Sequence, residues 1–252
     1  MIIKTSEFEA IEPFLQRFIK PDLLSHKGQN GKITIIGGSS LFHSAPIWSA
    51  QVASHLVDMV HFSSTPENNK TLLDIKKKWQ GGIVVPLKDI GNYIAEDDAV
   101  LIGTGMMREG NEGVHTKELT HSLLMQYPHK KWVIDAGALQ MIDTKQLCLL
   151  KEKPILTPHQ KEFKILFGDN ILHVSQSEKI KVVEERARTY RCIILCKAVC
   201  DIVSDGAQTV VIEGGNAGLT KGGTGDVLAA LCASFAATQD SFLSAVLASF
   251  LL

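Results

Sequence analysis

Residues 32–40, KITIIGGSS, run from an apolar β-branched stretch into two glycines, and residues 45–57, APIWSAQVASHLV, follow with helical character. The first stretch reads as a buried strand with its turn, because a strand covered on both faces shows a continuous apolar run rather than alternation. One strand feeding one helix decides little; its repetition decides the fold. Strand-like runs recur at VHFSS (60–64), GIVVPL (82–87), AVLIGTG (99–105), KWVIDAG (131–137), KPILT (153–157), CIILCKA (192–198) and TVVIEG (209–214). Helical segments are expected over 5–20 (stopping near Pro21), 68–79, 114–127, 160–167 and 175–190. The last is the clearest. Ser175 and Glu178 form a capping-box pattern, and Ile180, Val183, Ala187 and Tyr190 share one face. Strands alternating with helices predict an α/β fold with a mostly parallel central sheet and helices on both faces. SHKGQNGK (25–32) reads as a loop. No long linker, low-complexity tract or repeat interrupts the pattern, so residues 1–252 read as a single domain.

Composition narrows the class. Of the 252 residues 45% are hydrophobic and 21% charged, the balance of a globular protein with a sizeable core. The net charge of -1 gives no broad electrostatic case for nucleic acid or an anionic membrane. The start, MIIKTSEFEAIEPF, has acids where a signal peptide needs an unbroken apolar stretch. The most apolar stretch, FLSAVLASFLL (242–252), is too short to span a bilayer. It is apolar enough to seek a partner, so a homo-oligomer, dimer or tetramer, is expected. Cys148, Cys192, Cys196, Cys200 and Cys232 read as reduced, buried thiols of a cytoplasmic protein.

In parallel α/β sheets, ligands bind beyond the carboxyl ends of the strands. Four strand ends here, GGSS, GTG, DAG and LTPH, should converge on one rim. LTKGGTGDVLAA (219–230) should join them. Val227, Leu228, Leu231, Cys232 and Phe235 give a helix with a broad apolar face, so Gly222, Gly223 and Gly225 stand at its N-terminus. Free N–H groups and the helix dipole make that place an anion site, and glycine lets backbone approach a phosphate closely. Asp226 repels phosphate. An acid beside an anion hole makes sense if it takes a proton from a hydroxyl that attacks the held phosphoryl group. The plain alternative is a glycine turn with Asp226 as a helix N-terminal residue. In LTPHQKE (156–162), Thr157 could cap a helix opened by Pro158, with His159 in its first turn and Glu162 favouring the dipole. Asp135 could orient a metal or phosphate, or cap a turn. Cys192, Cys196 and Cys200 fall in strand-like sequence and should share no helical face. His55, Asp58 and His61 match no compact metal motif. DIKKKWQG (74–81) reads as a solvated helix face.

Taken in order, KGQNGKITIIGGSSLFHSAP, LIGTG, WVIDAGAL, ILTPHQKEF, CKA and GNAGLTKGGTGDVLAA resemble the ribokinase-like NAD(P)H-hydrate dehydratase family, from about Lys27 to the end. The resemblance implies a ribokinase-like fold and repair of NADH or NADPH whose nicotinamide ring has taken up water. ADP in most bacterial and archaeal members, or ATP in eukaryotic ones, donates phosphate to the hydrate hydroxyl with Mg²⁺, and loss of phosphate restores the dihydropyridine. It implies Asp226 as catalytic base, and Ala45, Gly105 and His159 with Asp226 against the hydrated cofactor. It places Lys197, Ala198, Val199, Cys200 and Asp201 against the adenine nucleotide, together with Gly222, Gly223 and Gly225. Ser44, Gly137, Lys161 and Ala198 depart from residues usual in the family, which are Gly, a second Asp, Gly and Gly. Lys161 and Ala198 are expected to crowd the nucleotide side. Relatives continue past the equivalent of Leu252 with another helical stretch, which leaves a C-terminally truncated chain and a divergent member both open. Two other readings share the glycines and Asp226: a ribokinase-like kinase of a small alcohol or vitamin precursor, and a catalytically degenerate nucleotide-binding protein.

Overall fold

The computed structural model describes residues 1–252. Ten strands form one sheet: β1 (Ile2–Lys4), β2 (Lys32–Ile36), β3 (Met59–Ser63), β4 (Ile83–Val84), β5 (Ala99–Ile102), β6 (Lys131–Ile134), β7 (Ile155–Leu156), β8 (Ile193–Cys196), β9 (Cys200–Ser204) and β10 (Thr209–Glu213). Their spatial order is β1-β10-β9-β8-β7-β6-β5-β2-β3-β4. All neighbours pair in parallel except β9, which runs antiparallel to both β8 and β10.

The helices are α1 (Glu12–Leu15), α2 (Ser44–Ala53), α3 (Pro66–Ile75), α4 (Ile90–Glu96), α5 (Gly110–Gln126), α6 (Ala136–Met141), α7 (Gln160–Phe167), α8 (Gln176–Thr189), α9 (Thr224–Ala236) and α10 (Ser241–Leu251). Successive strand residues face opposite sides, and both sides are apolar. Ile33, Ile35, Leu101 and Val133 join a core with residues of α2, α9 and α10. Ile36, Val100, Ile102 and Ile134 join a second core with residues of α4, α5, α6, α7 and α8. The continuous apolar runs of the sequence are thus the signature of a sheet buried twice over. No helix is long and apolar enough to cross a membrane.

Several expectations need correction. Residues 5–20 do not form one helix. A 3₁₀ turn over Phe8–Ile11 hands over to the single turn α1, with Pro13 in its opening positions. Proline has no N–H to give to a preceding turn, so it can only open a helix there. The strands β1 and β9 and the helices α4 and α6 were not foreseen. Only three residues separate β9 from β8, so the two read as one run. α3 ends at Ile75, and Trp79 turns back to donate its indole N–H to Ser54 Oγ (3.1 Å). Thus DIKKKWQG is mostly not a helix face.

The apolar C-terminal stretch is α10, and its own chain covers it. Phe242, Leu243, Ala245, Val246, Leu247 and Ala248 are buried in the first core. It packs mainly on α9, and of its large apolar side chains only Leu251 near its end is exposed. None of the cysteines is paired; Cys192, Cys196 and Cys232 are buried and Cys148 and Cys200 partly so.

Candidate active site

The parallel strands β7, β6, β5 and β2 are neighbours, so their carboxyl ends lie side by side. Each ends in one of the four motifs read from the sequence: Thr157–His159, Asp135–Gly137, Gly103–Gly105 and Gly37–Ser39. The start of α9 stands over this rim. A cleft of about 410 Å³ opens between them, lined by Phe42, Ala45, Gly105, Ala136, Gly137 and Asp226 among others. Ala136 lies in the left-handed region at φ 44°, one of two non-glycine residues to do so. Such backbone is costly and clusters at functional sites.

The opening of α9 leaves backbone donors uncapped. Gly223 is its N-cap at φ 102°, and no side chain caps the turn. A side chain at Gly223 would also run into the ring of Trp48 on α2. The first-turn N–H groups have no carbonyl partner within the helix. Asp226 is the third helical residue, in the first turn but not the cap, so its position fits the plain alternative of a helix N-terminal residue and its place in the cleft has to carry the functional one. Ser49 Oγ on α2 donates to the backbone carbonyl oxygens of Asp226 (3.1 Å) and Ala45 (3.2 Å). That hydroxyl locks the base candidate to the wall of the cleft.

Beneath this turn lies a buried ion pair. Asp135, at the end of β6, accepts from Thr157 Oγ1 (2.6 Å) and from Lys197 Nζ (3.1 Å). The ammonium thus reaches from the end of β8 across β7 to β6. A Cβ built on Gly225 would sit 3.5 Å from that nitrogen, so the charge lies directly under the first turn of α9. Burial works to lower the Lys197 pKa, but Asp135, Glu162 and Asp226 together raise it above the ordinary lysine value. Asp226 is pushed up to about 6, by burial first and the nearby Asp135 second, with Lys197 pulling the other way. A carboxyl poised near neutrality inside a cleft has the properties of a general base.

The structure brings Ala45, Gly105 and Asp226 into one cleft. His159 lies outside it. It lines an adjoining groove of about 570 Å³ that shares Arg108, Glu109 and Gln140 with the cleft. His159 itself is the N-cap of α7: Nδ1 accepts from the N–H groups of Lys161 (3.2 Å) and Glu162 (3.1 Å). The buried Glu162 completes a capping box by accepting the His159 N–H (2.9 Å). Thr157 is therefore not the cap, and it serves Asp135 instead.

The nucleotide set divides. Lys197 points to the centre. Ala198, Val199 and Asp201 line a small hollow with Gly214, Gly215 and Leu219. At about 50 Å³ that hollow is well below the roughly 300 Å³ at which ligand pockets begin. Cys200 opens β9, half-buried, and Gly222 faces open space. The Asp201 carboxylate accepts from the Ala198 N–H (2.9 Å) and Ser249 Oγ (2.8 Å), bracing the hollow. Lys161 does not crowd this side; it projects into the groove beside His159. Ser44 is exposed at the start of α2. Asp135, Thr157 and Glu162 had only open or local roles in the sequence reading, and Gln140 and Arg108 had none. Asp135 carried a signal as an acid at a strand end, and Thr157 and Glu162 as members of the LTPHQKE stretch.

A model of the NAD(P)H-hydrate dehydratase family matches residues 33–252. The chain belongs to that family. Among relatives of the dehydratase family, it is 34% identical over 221 residues to the ADP-dependent (S)-NAD(P)H-hydrate dehydratase of Nitrosopumilus maritimus, covering 83% of this chain and 74% of that one. It is 32% identical over 249 residues to the bifunctional NAD(P)H-hydrate repair enzyme Nnr of Methanocaldococcus jannaschii, covering 94% of this chain. It spans 45% of that relative's length. The ribokinase-like fold is shared with a protein of Enterococcus faecalis (TM-score 0.83, 19% identity, 99% of this chain and 84% of that one). It is shared also with the ADP/ATP-dependent NAD(P)H-hydrate dehydratase of Bacillus subtilis co-crystallised with ATP/Mg²⁺ (TM-score 0.76, 20% identity, 95% and 84%).

The dehydratase resemblance put a second acid where this chain has Gly137, and the structure explains the glycine. A side chain there would strike the carbonyl oxygen of Met106 in the loop after β5. Gly137→Asp is expected to lower the melting temperature by about 2–12 °C, the size of a 1–3 kcal/mol overpacking penalty in a domain of this length. An unchanged melting curve would show that the loop can yield.

Proposed function

We propose that this chain is a nucleotide-dependent NAD(P)H-hydrate dehydratase acting on hydrated NADH or NADPH. One observation carries the reading: Asp226, with its raised pKa, shares a cleft with Ala45 and Gly105 and stands between free helix N–H groups and the Lys197 ammonium. Asp226 takes the proton of the hydrate hydroxyl, and that oxygen attacks the terminal phosphorus of ADP or ATP. The bond from phosphorus to the bridging oxygen breaks, and AMP or ADP leaves. The N–H groups at Gly225 and Asp226 and the Lys197 ammonium hold the phosphoryl oxygens as their charge rearranges. The phosphorylated carbon then loses phosphate with its bonding electrons, the ring nitrogen supplying electrons, and a proton leaves the adjacent carbon. Reduced nicotinamide and inorganic phosphate result.

The donor nucleotide is assigned to the side of Lys197–Asp201 and Gly222–Gly225, where the small hollow would have to widen. His159 is assigned to the substrate from its groove. No three His, Cys, Asp or Glu side chains converge to hold an ion, and Asp135 is taken by Lys197 and Thr157. These residues do not fit a resident metal, so Mg²⁺ is assigned to the phosphates of the nucleotide. A cytoplasmic setting follows from the substrates. A dimer or tetramer now rests on the dehydratase resemblance alone, since α10 is covered.

The test is product analysis. With hydrated NADH or NADPH, Mg²⁺ and ADP or ATP supplied separately, reduced-nicotinamide absorbance should return with one phosphate released per turnover. A stable phosphorylated small molecule would instead identify a kinase. Nucleotide binding without any turnover would identify a degenerate member.

A further inference from the structure

The groove beside the cleft has a chemistry that the proton-transfer step does not use. Arg108 comes from the loop after β5, Gln140 and Met141 from α6, and His159, Lys161 and Ile165 from α7 and its cap. Its exposed surface is rich in donors and poor in acceptors. Arg108 gives one guanidinium N–H to Gln140 Oε1 (3.1 Å), and its side chain is 58% exposed. The exposed Lys161 ammonium has neither a hydrogen bond nor an ion pair. His159 Nδ1 already accepts two backbone N–H bonds, so the neutral ring carries its proton on Nε2. Two acids oppose these groups. Glu109 is exposed, 4.0 Å from Arg108 Nε. Glu162 is buried under the groove, its oxygens accepting from the His159 N–H and from Gln140 Nε2 (3.0 Å) and lying 3.6 Å from His159 Nε2. Two exposed cations therefore face one exposed acid.

A dinucleotide is longer than the cleft. With its hydrated ring beside Asp226, the remainder must leave along the rim, and the phosphoryl donor takes the side of β8 and β9. Two spaces adjoin the cleft on its other sides. One, of about 530 Å³, meets it at Met106 and is walled by Ile36, Pro66, Pro86 and Leu87, with no cationic side chain except the imidazole of His115. The other is the groove with Arg108 and Lys161. Phosphate selects the second, because a guanidinium fork and a free ammonium are the groups that bind it.

We propose that this groove is a phosphate subsite, in which Arg108 and Lys161 hold a phosphate of the dinucleotide substrate. The proposal rests on the dehydratase reading. It turns a departure from the family pattern into a specificity determinant, since Lys161 stands where the family usually has glycine. Two phosphates share this chemistry: the bridging pyrophosphate of either dinucleotide and the 2′-phosphate of the phosphorylated one.

NAD⁺ and NADP⁺, which carry these phosphates and are not turned over, are titrated calorimetrically into wild type, Lys161→Ala and Arg108→Ala at low and high salt. Each variant is expected to bind about 3- to 10-fold more weakly at low salt, with the difference shrinking as salt is added. KM for the hydrates should rise by the same factor. Equal losses for both dinucleotides place the pyrophosphate in the groove; a loss confined to NADP⁺ places the 2′-phosphate there. Both side chains are exposed, so melting temperatures should stay within 1–2 °C, about the shift of a typical surface substitution. Wild-type affinity in both variants, or no binding of either dinucleotide to wild type, overturns the subsite. Absence of hydrate turnover in wild type overturns the dehydratase reading instead, and the binding constants still decide the groove.

Discussion

Asp226→Asn is expected to slow turnover by about 10²- to 10⁴-fold, the usual contribution of a general base, while leaving the fold intact. Asparagine keeps the size of the side chain and its place between α9 and the cleft, and it cannot accept the proton. Nucleotide affinity should survive or rise slightly, because a negative charge beside an anion site is removed. Stability should not fall. Burial and Asp135 push the Asp226 carboxyl up to about 6 in the folded chain, from an ordinary value of 3.8. Between those values the folded state binds the proton more than the unfolded state, so this group's contribution to stability falls as pH rises through the window. Asparagine removes that cost, and the variant should melt no lower than wild type at neutral pH. The same titration sets the rate. Below about 6 the carboxyl is protonated and idle; above it the base is ready. The wild-type rate should therefore climb through that pH to a plateau. Turnover, melting and a pH–rate profile on one preparation check all three. Near-normal turnover in Asp226→Asn would end the base assignment.

Asp135→Ala should be the most destabilising polar substitution at the site. It leaves the Lys197 ammonium, whose side chain is only 21% exposed, without its bonded counter-ion, and it orphans the Thr157 hydroxyl. Breaking a buried pair from one side costs about 3–5 kcal/mol. The lower end applies here, since Lys197 keeps some water and feels Glu162 and Asp226. In a domain of this size that corresponds to a drop of about 6–12 °C in melting temperature. Turnover of the folded remainder should fall as well, because the ammonium is no longer held under the first turn of α9. A second readout separates position from bulk stability. Asp135 raises the pKa of Asp226, so Asp135→Asn, which keeps a partner for Thr157, should move the acid limb of the rate profile to lower pH. A melting point for Asp135→Ala within about 2 °C of wild type, the reach of a neutral surface change, would show that the pair is not structural.

Much of this was written locally. Continuous apolar runs are what a strand needs when both its faces are covered, and β2, β5, β6 and β8 read directly as such. Ser175 with Glu178 capped α8 as expected, because a capping box spans only four residues. The strand-end motifs converged because four parallel neighbours must end on the same rim. Local reading failed where partners are distant or where a short element borders another. Pro13 opens the short α1 after a 3₁₀ turn, in place of one helix over 5–20, and β9 hid behind β8.

The centre of the site belongs to the tertiary structure. Asp135 and Lys197 are 62 residues apart and meet only because β6, β7 and β8 are ordered side by side. Burial first and Asp135 second move the Asp226 carboxyl toward neutrality, with Lys197 pulling the other way. Whether α10 seeks a partner or lies in its own core depends on whether α9 covers it, which no property of FLSAVLASFLL states. Lys161 is a charge in the sequence whichever way α7 is turned. The capping of α7 by His159 and Glu162 aims it into the groove, because a helix start fixes the direction of every side chain in its first turn.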